Sequence, residues 1–289
     1  MNLEHEGRNS IGVSISIIGL GLIGGSMAKA IRENTDHHLI GFDVQSEVMK
    51  KAFEEEVIHE IPNSIEEALS KSDIVFLCLY PFETVEFIRN HYNDFKDNAI
   101  VTDTAGLKTE IVQFYSKLTH NSKQLEFVGG HPIAGSEKSG FNHSSAHYFK
   151  GASYVLTPHR GNREETVRTL TELIEVMGFG SVTCMDAKEH DEMIAYTSHL
   201  PHIIASLLLK NKPGNTGTTG NALVGGSFRD ATRVGNMNKS LWTELLMCNQ
   251  SNVIKMLESF ESDIKAVQSA LESGNEDALR GLITFDIMN

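Results

Sequence analysis

At 289 residues, 40% hydrophobic and 22% charged, the chain is long enough for two domains with buried cores and has an ordinary globular composition. A formal charge of −13 argues against a nucleic-acid partner or an anionic membrane surface, and it means that an anionic ligand would need a locally basic pocket. Three widely separated cysteines in apolar surroundings, with neither CxxC nor metal spacing, point to buried free thiols in a reducing compartment. With a polar, acidic start in place of a signal peptide and no apolar run of membrane-spanning length, the expected location is the cytoplasm.

Residues 1 to about 11 read as a loose tail. The first strand, Ile15 to Ile18, runs into Gly19-Leu20-Gly21-Leu22-Ile23-Gly24, followed by a helical segment from Ser26 to Arg32. Gly19 permits the tight turn, Gly21 lets a pyrophosphate approach the backbone, and Gly24 lets helix and strand pack closely. The N–H groups at the new helix start then face the phosphates. A second strand, Leu39 to Phe42, ends in Asp43, placed where a carboxylate takes the adenosine ribose hydroxyls. A carboxylate there repels a 2′-phosphate, and Val44-Gln45 supplies no cation to hold one, so the expected cofactor is NAD rather than NADP.

Helices are predicted over Ser46–Glu56 and, capped by Ser64, over Ser64–Ser70. The continuous apolar run Asp73–Leu79 reads as a parallel strand covered on both faces, stopped by Pro81, with a helix at Thr84–Tyr92. Ala99–Asp103 is the next strand, followed by a helix at Lys108–Lys117 and a short strand at Phe127-Val128. Ser153–Leu156 and Ser181–Cys184 bracket a helix at Arg163–Met177. This alternation is the signature of an α/β fold with a Rossmann-like doubly wound sheet, expected over residues 12–185. Strand signals then cease. His190–Lys210, Leu241–Ala270 and Glu276–Leu282 carry helical periodicity around a Gly/Thr-rich connector at 214–227, so residues 186–289 are expected to form an all-helical domain. Its apolar surface exceeds what so few helices can bury, and docking on the first domain or on a second copy is the expected remedy.

Three later clusters can carry chemistry. His131-Pro132-Ile133-Ala134-Gly135-Ser136-Glu137-Lys138 follows a strand end on the ligand-binding edge of the sheet. On its own chemistry His131 is either an acid/base group or a loop histidine satisfied by backbone. Ser198-His199-Leu200-Pro201-His202 lies in a helical stretch that Pro201 should kink. The two histidines lack a carboxylate or cysteine at ligand spacing, so no metal site is expected; one imidazole belongs in a pocket and the other in packing. In Phe228-Arg229-Asp230-Ala231-Thr232-Arg233 the arginines stand one turn apart, a carboxylate fork or a solvated charged face, and the preceding Gly225-Gly226 favours a ligand.

Taken in order, GLGLIGGS, HPIAGSEKSG, SHLPH, FRDATR and Trp242 resemble the prephenate and arogenate dehydrogenases of tyrosine biosynthesis, from about Ser14 to Asn289. The resemblance implies a Rossmann domain followed by a helical domain that dimerises and closes the active site. It implies NAD-dependent oxidative decarboxylation of prephenate to 4-hydroxyphenylpyruvate, with catalytic roles for His131, Arg233 and His202. Ser136, Glu137, Ser198, Arg229, Asp230 and Trp242 fall on its substrate-binding positions, and Gly19, Gly21, Leu22, Ile23, Gly24, Asp43, Thr102 and Asp103 on its cofactor-binding ones. The implied partners are prephenate, L-tyrosine as a feedback ligand, and a second copy of the chain.

One position departs from the family pattern: Gly106 stands where many members have a serine, so that either Thr102, Thr104 or a water supplies the hydroxyl or that contact is dispensable. Some relatives carry a C-terminal regulatory ACT domain, and the expectation is that this sequence is either a shorter form or a truncated one. The competing readings are an arogenate dehydrogenase, a β-hydroxyacid dehydrogenase with a lysine base, and a non-catalytic NAD-binding sensor with a partner-docking helical half.

Overall fold

The computed structural model describes residues 12–118, 124–136, 138–211 and 224–283. The expected tail, Glu137 and most of the 214–227 connector lie outside the described residues. The chain divides into two compact units between His190 and Asp191.

In the first unit, β1 (Ser14–Ile18), α1 (Leu22–Asn34), β2 (His38–Phe42), α2 (Ser46–Glu54), α3 (Ile65–Lys71), β3 (Ile74–Leu77), α4 (Pro81–His91), β4 (Ile100–Asp103) and α5 (Thr109–Leu118) alternate as expected. They are followed by β5 (Glu126–Ile133), β6 (Ser153–Thr157), α6 (Glu164–Val176), β7 (Ser181–Cys184) and the start of α7 (Ala187–Ile194). The seven strands lie in the order β2-β1-β3-β4-β5-β6-β7. All neighbours are parallel except β5 and β6. The order reverses at β1, so the ends of β1 and β3 form the crevice where ligands of such sheets bind.

Strand β3 shows why the sheet is covered on both sides. Ile74 and Phe76 enter one apolar core with Ile17, Met27 and Tyr154, while Val75 and Leu77 enter another with Val101, Tyr115 and Phe127. A two-residue side-chain period with both sets buried requires helices on each face. Local chemistry sets the helix starts. Ser64 Oγ accepts from Glu67 N–H at 3.3 Å, as predicted for a cap, and Pro81 opens α4 with its missing donor at a position that needs none.

Three expectations change. Strand β5 continues past Val128 to Ile133, so His131 lies within a strand instead of following one. The predicted helix at His190–Lys210 is α7, a wider π turn at Ala195–His199, and α8 (Leu200–Lys210). Pro201 cannot donate into a regular ladder, and the wide turn just before it absorbs the mismatch. The predicted helix at Leu241–Ala270 is α10 (Lys239–Cys248) and α11 (Gln250–Glu272), parted at Asn249. A short α9 (Gly226–Thr232) precedes them and α12 (Glu276–Ile283) follows. Among the described residues, no helix is long and apolar enough to cross a membrane.

The cysteines are also not uniformly buried. Cys184, on edge strand β7, and Cys248, at the end of α10, are exposed. Cys78 is half-buried, with its sulfur turned inward 3.9 Å from Met27 Sδ, and burial pushes its thiol up to about 12. Because the thiolate is the reactive form, alkylation of the native protein at neutral pH should label Cys184 and leave Cys78 unmodified until denaturant is added, as mass spectrometry of tryptic peptides would show.

Candidate active site

The glycine-rich turn divides its labour as the spacing predicts. Gly19 has φ +90°, and a β-carbon on it would lie 2.6 Å from the Cys78 carbonyl oxygen. A β-carbon on Gly24 would lie 1.9 Å from the Gly19 carbonyl oxygen, so this residue lets α1 start against the end of β1. Gly21 caps α1, and a β-carbon there would meet nothing within 4 Å: the turn faces open space where the helix N–H groups emerge. Leu22 and Ile23 form the first helical positions, with no acidic side chain in that turn to compete with a phosphate. Asp43, at the end of β2, accepts from Leu20 N–H at 2.8 Å and from Gln45 N–H at 2.9 Å. Each carboxylate oxygen keeps a second lone pair for a ribose hydroxyl. These residues fit a dinucleotide.

His131 is placed by β5. This strand pairs with β4 as far as Thr102↔Val128 and then with β6, from Gly129↔Thr157 to Ile133↔Ser153. At the change of partner the chain leaves no room for side chains. A β-carbon on Gly129 would lie 2.3 Å from Thr157 Oγ1, and one on Gly130 would lie 2.5 Å from Tyr154 Oη. Beside Gly130 sits an ion pair between Asp103 and Lys108, both without exposed surface. Asp103 Oδ1 accepts from Gly130 N–H at 3.1 Å, and Lys108 Nζ donates to the Gly130 carbonyl at 2.6 Å. Ala105 N–H donates to Asp103 Oδ2 at 2.9 Å, closing the Thr104–Leu107 loop that carries Gly106.

The imidazole of His131 meets that of His190, with Nδ1 2.9 Å from His190 Nε2 and the rings crossed at 73°. His190 is 1% exposed and His131 is partly exposed. Thr109 Oγ1 donates to the Ala187 carbonyl at 3.1 Å, tying the start of α5 to the start of the helix that carries His190. Beyond β5, Ser136 Oγ accepts from Lys138 N–H at 3.2 Å and lies 3.4 Å from Tyr148 Oη. This loop is anchored to α1, where Ser145 N–H donates to Ser26 Oγ at 2.8 Å.

Two of the residues expected at the cofactor, Thr102 and Asp103, have no exposed surface. The Asp103 carboxylate is engaged by Lys108, Gly130 and Ala105 inside the sheet. Of the hydroxyls weighed for the place of Gly106, Thr102 is enclosed and Thr104 is partly exposed.

In the second unit, His202 stacks on Trp242, with centroids 3.9 Å apart, and its Nδ1 donates to the Ser198 carbonyl at 2.8 Å. A carbonyl can only accept, so Nδ1 carries the proton. His199 is buried, edge-on to Trp242, with Nδ1 3.4 Å from Asn249 Nδ2. Both histidines thus face the indole, His199 as packing and His202 as the more accessible ring. Arg233 is exposed at the end of α9, where a tight turn through Gly235 lies on α8: a β-carbon on Gly235 would be 3.0 Å from the Ala205 carbonyl. Arg229 and Asp230 are exposed, and Arg229 donates back to the Val224 carbonyl at 2.9 Å. Among the described residues one group, Glu66, His91 and Asp94, brings three metal-ligand atoms within 4.8 Å, and His91 and Asp94 already pair at 2.8 Å.

Lys108, His190 and Tyr148 were missed by the sequence reading. Lys108 had a weak signal, as a cation just beyond an apolar strand that ends in aspartate. His190 had none, since it meets His131 only through the fold.

Comparison with known proteins adds a family. The model described as prephenate dehydrogenase, nucleotide-binding domain, matches residues 27–183, and that described as prephenate dehydrogenase, dimerization domain, matches residues 186–285. The prephenate dehydrogenase of Lactococcus lactis is 31% identical over 92% of this chain and 73% of its own. The cyclohexadienyl dehydrogenase of Zymomonas mobilis is 29% identical over 92% of this chain and 90% of its own. Among solved structures, Aquifex aeolicus prephenate dehydrogenase in complex with hydroxyphenyl propionate and NAD+ superposes with a TM-score of 0.84 at 27% identity, covering 94% of this chain and 95% of that one. The Synechocystis arogenate dehydrogenase gives 0.79 at 29%, covering 93% and 96%.

The glycine geometry separates folding from binding. Gly24→Ala should destabilise the first unit by about 1–3 kcal/mol or more through overpacking. Gly21→Ala, which enters open space, should leave the melting temperature within a few degrees and weaken NADH binding measured by fluorescence. Equal losses of stability in the two variants would contradict this division.

Proposed function

The chain belongs to the prephenate dehydrogenase family, and we propose that it oxidises prephenate with NAD+, releasing CO₂ and forming 4-hydroxyphenylpyruvate, as a homodimer. The placement of His131 carries this reading: a partly exposed imidazole on a rigid strand, with its inner nitrogen held by a buried second imidazole. The names of the similar proteins support the substrate class, and the matched dimerization domain supports the homodimer.

NAD+, when bound, supplies the hydride acceptor. Gly19, Gly21, Leu22, Ile23 and Gly24 would hold its pyrophosphate and Asp43 its ribose, and the carboxylate favours NAD+ over NADP+ by repelling a 2′-phosphate. The chain's own residues bind and polarise the ring. Two nitrogens 2.9 Å apart share one proton, and with it on His131 Nδ1, donated to His190, the outer Nε2 of His131 accepts a hydrogen bond from the substrate hydroxyl. That contact stabilises the positive charge that develops as the ring carbon loses hydride. The hydroxyl proton is not lost overall, because a phenol re-forms once CO₂ has left. His131 therefore serves as a strongly placed acceptor, and aromatisation drives the reaction.

Arg233 takes a carboxylate of the dianion, with His202, Ser198 and Trp242 shaping the pocket of the helical unit and Arg229 and Asp230 at its rim. Ser136 lies just beyond the end of β5, and Glu137 follows it in sequence. Thr104 is the hydroxyl available beside Gly106. The second reading is arogenate as substrate, supported by the likeness to the Synechocystis arogenate dehydrogenase.

A coupled comparison tests both. NADH formation, followed by absorbance, should be faster with prephenate than with arogenate and with NAD+ than with NADP+. The reverse order for either pair would replace that half of the proposal, and no NADH with either substrate would favour the non-catalytic sensor. His131→Asn should lower kcat roughly 10²–10⁴-fold with little change in KM, and should remove the acid limb that protonation of this imidazole produces in wild type. Arg233→Ala should weaken prephenate binding by about 2–4 kcal/mol, read as a raised KM at nearly constant kcat. An unchanged KM would take Arg233 out of the substrate site.

A further inference from the structure

We propose that the buried Asp103–Lys108 pair is a positioning device for His131, holding the peptide from which the imidazole projects. This rests on the reading of His131 as the acceptor for the substrate hydroxyl.

The need for such a device follows from the sheet. Strand β4 supplies ladder partners to β5 as far as Thr102↔Val128, and the next registered pair of β4, Leu77↔Asp103, belongs to β3. Beyond this point the chain turns into the Thr104–Leu107 loop, so Gly130 loses its regular backbone neighbour on that side. The two side chains take over both halves of the missing ladder. Asp103 Oδ1 accepts from Gly130 N–H at 3.1 Å, and Lys108 Nζ donates to the Gly130 carbonyl at 2.6 Å. That carbonyl belongs to the peptide whose nitrogen is His131's own. On the other side β6 pairs directly with His131 through Val155. The segment is gripped from both edges, and the imidazole inherits its place from the backbone.

The same two residues reach the other parts of the site. Ala105 N–H on Asp103 Oδ2 closes the loop bearing Thr104 and Gly106, so hydroxyl and imidazole are referred to one fixed point. Thr109, directly after Lys108, holds the Ala187 carbonyl at the start of α7, the helix that brings His190 to His131. Neither charge is exposed, so neither can touch substrate in this arrangement; both act through other residues.

A purely structural pair and a positioning pair differ in what a neutral replacement does. In Asp103→Asn/Lys108→Gln both charges are removed together, and the glutamine amide can still donate to the Gly130 carbonyl. In Asp103→Asn/Lys108→Met the volume is similar and the donor is lost. The expected result is that the Asn/Gln variant keeps kcat within about 3-fold of wild type, while Asn/Met loses roughly 10–10²-fold in kcat. Prephenate KM and NADH affinity should stay within about 3-fold in both, and the acid limb of kcat should shift in Asn/Met alone. Equal kcat in the two variants would overturn the proposal. So would a loss of NADH binding or of the melting transition that accompanies every loss of turnover, since the pair would then be a folding element only. Wild type and His131→Asn serve as controls. If wild type does not turn over prephenate, or His131→Asn is fully active, the underlying functional reading fails instead.

Discussion

Two opposite charges with no access to water, placed where one strand of a parallel sheet runs out of neighbours, constrain much of the first unit. Burying a carboxylate or an ammonium alone is prohibitive, and even a pair is compensated only if its remaining hydrogen-bonding capacity is used. Here it is used on backbone. Asp103 accepts from two N–H groups as well as from Lys108, and Lys108 also donates to a carbonyl. Removing one partner would strand the other at about 3–5 kcal/mol, so the two behave as one unit. An apolar pair of equal volume could fill the space, but it could not grip Gly130 by both its donor and its acceptor. What the ion pair adds is direction.

The glycines around it follow from the same crowding. Gly129 and Gly130 lie where Thr157, Tyr154 and the end of β4 converge, and a β-carbon at either would collide. Burial, with the Asp103 carboxylate nearby, pushes the phenol of Tyr154 well above its usual range, so its hydroxyl stays protonated beside the Asp103 carbonyl at 3.4 Å. His131 therefore stands on a strand locked by close packing and fixed polar contacts. A site on a strand holds its geometry more tightly than one on a loop, which suits chemistry that depends on placement more than on covalent steps.

What could be read from the chain and what could not separate by distance along it. The nucleotide turn was legible because Gly19, Gly21, Gly24 and Asp43 act within one strand–helix–strand unit, each for a local steric or electrostatic reason. The alternation of strands and helices was legible for the same cause. The contact of His131 with His190 spans 59 residues and that of Lys108 with Gly130 spans 22, and no periodicity encodes either. Asp103 was visible but assigned outward, because an acid at a strand end looks the same whether it faces a ligand or a buried lysine. The extent of β5 was hidden by Gly129-Gly130-His131-Pro132, a run with poor strand propensity that tertiary packing overrides.

The helical unit fixes its side chains by other means. Pro201 would clash in a regular ladder, and the π turn at Ala195–His199 widens the helix just before it. The Ser198 carbonyl within that turn accepts from His202 Nδ1, so the irregularity that proline imposes also sets a tautomer and leaves Nε2 as the ring's acceptor in the neutral form. Trp242 then holds the ring by stacking on its face, with centroids 3.9 Å apart. On the sheet, placement comes from paired charges acting on backbone; on the helices, it comes from a displaced carbonyl and an aromatic face. Both arrangements fix an imidazole through one ring nitrogen, His131 by a second imidazole and His202 by a backbone carbonyl.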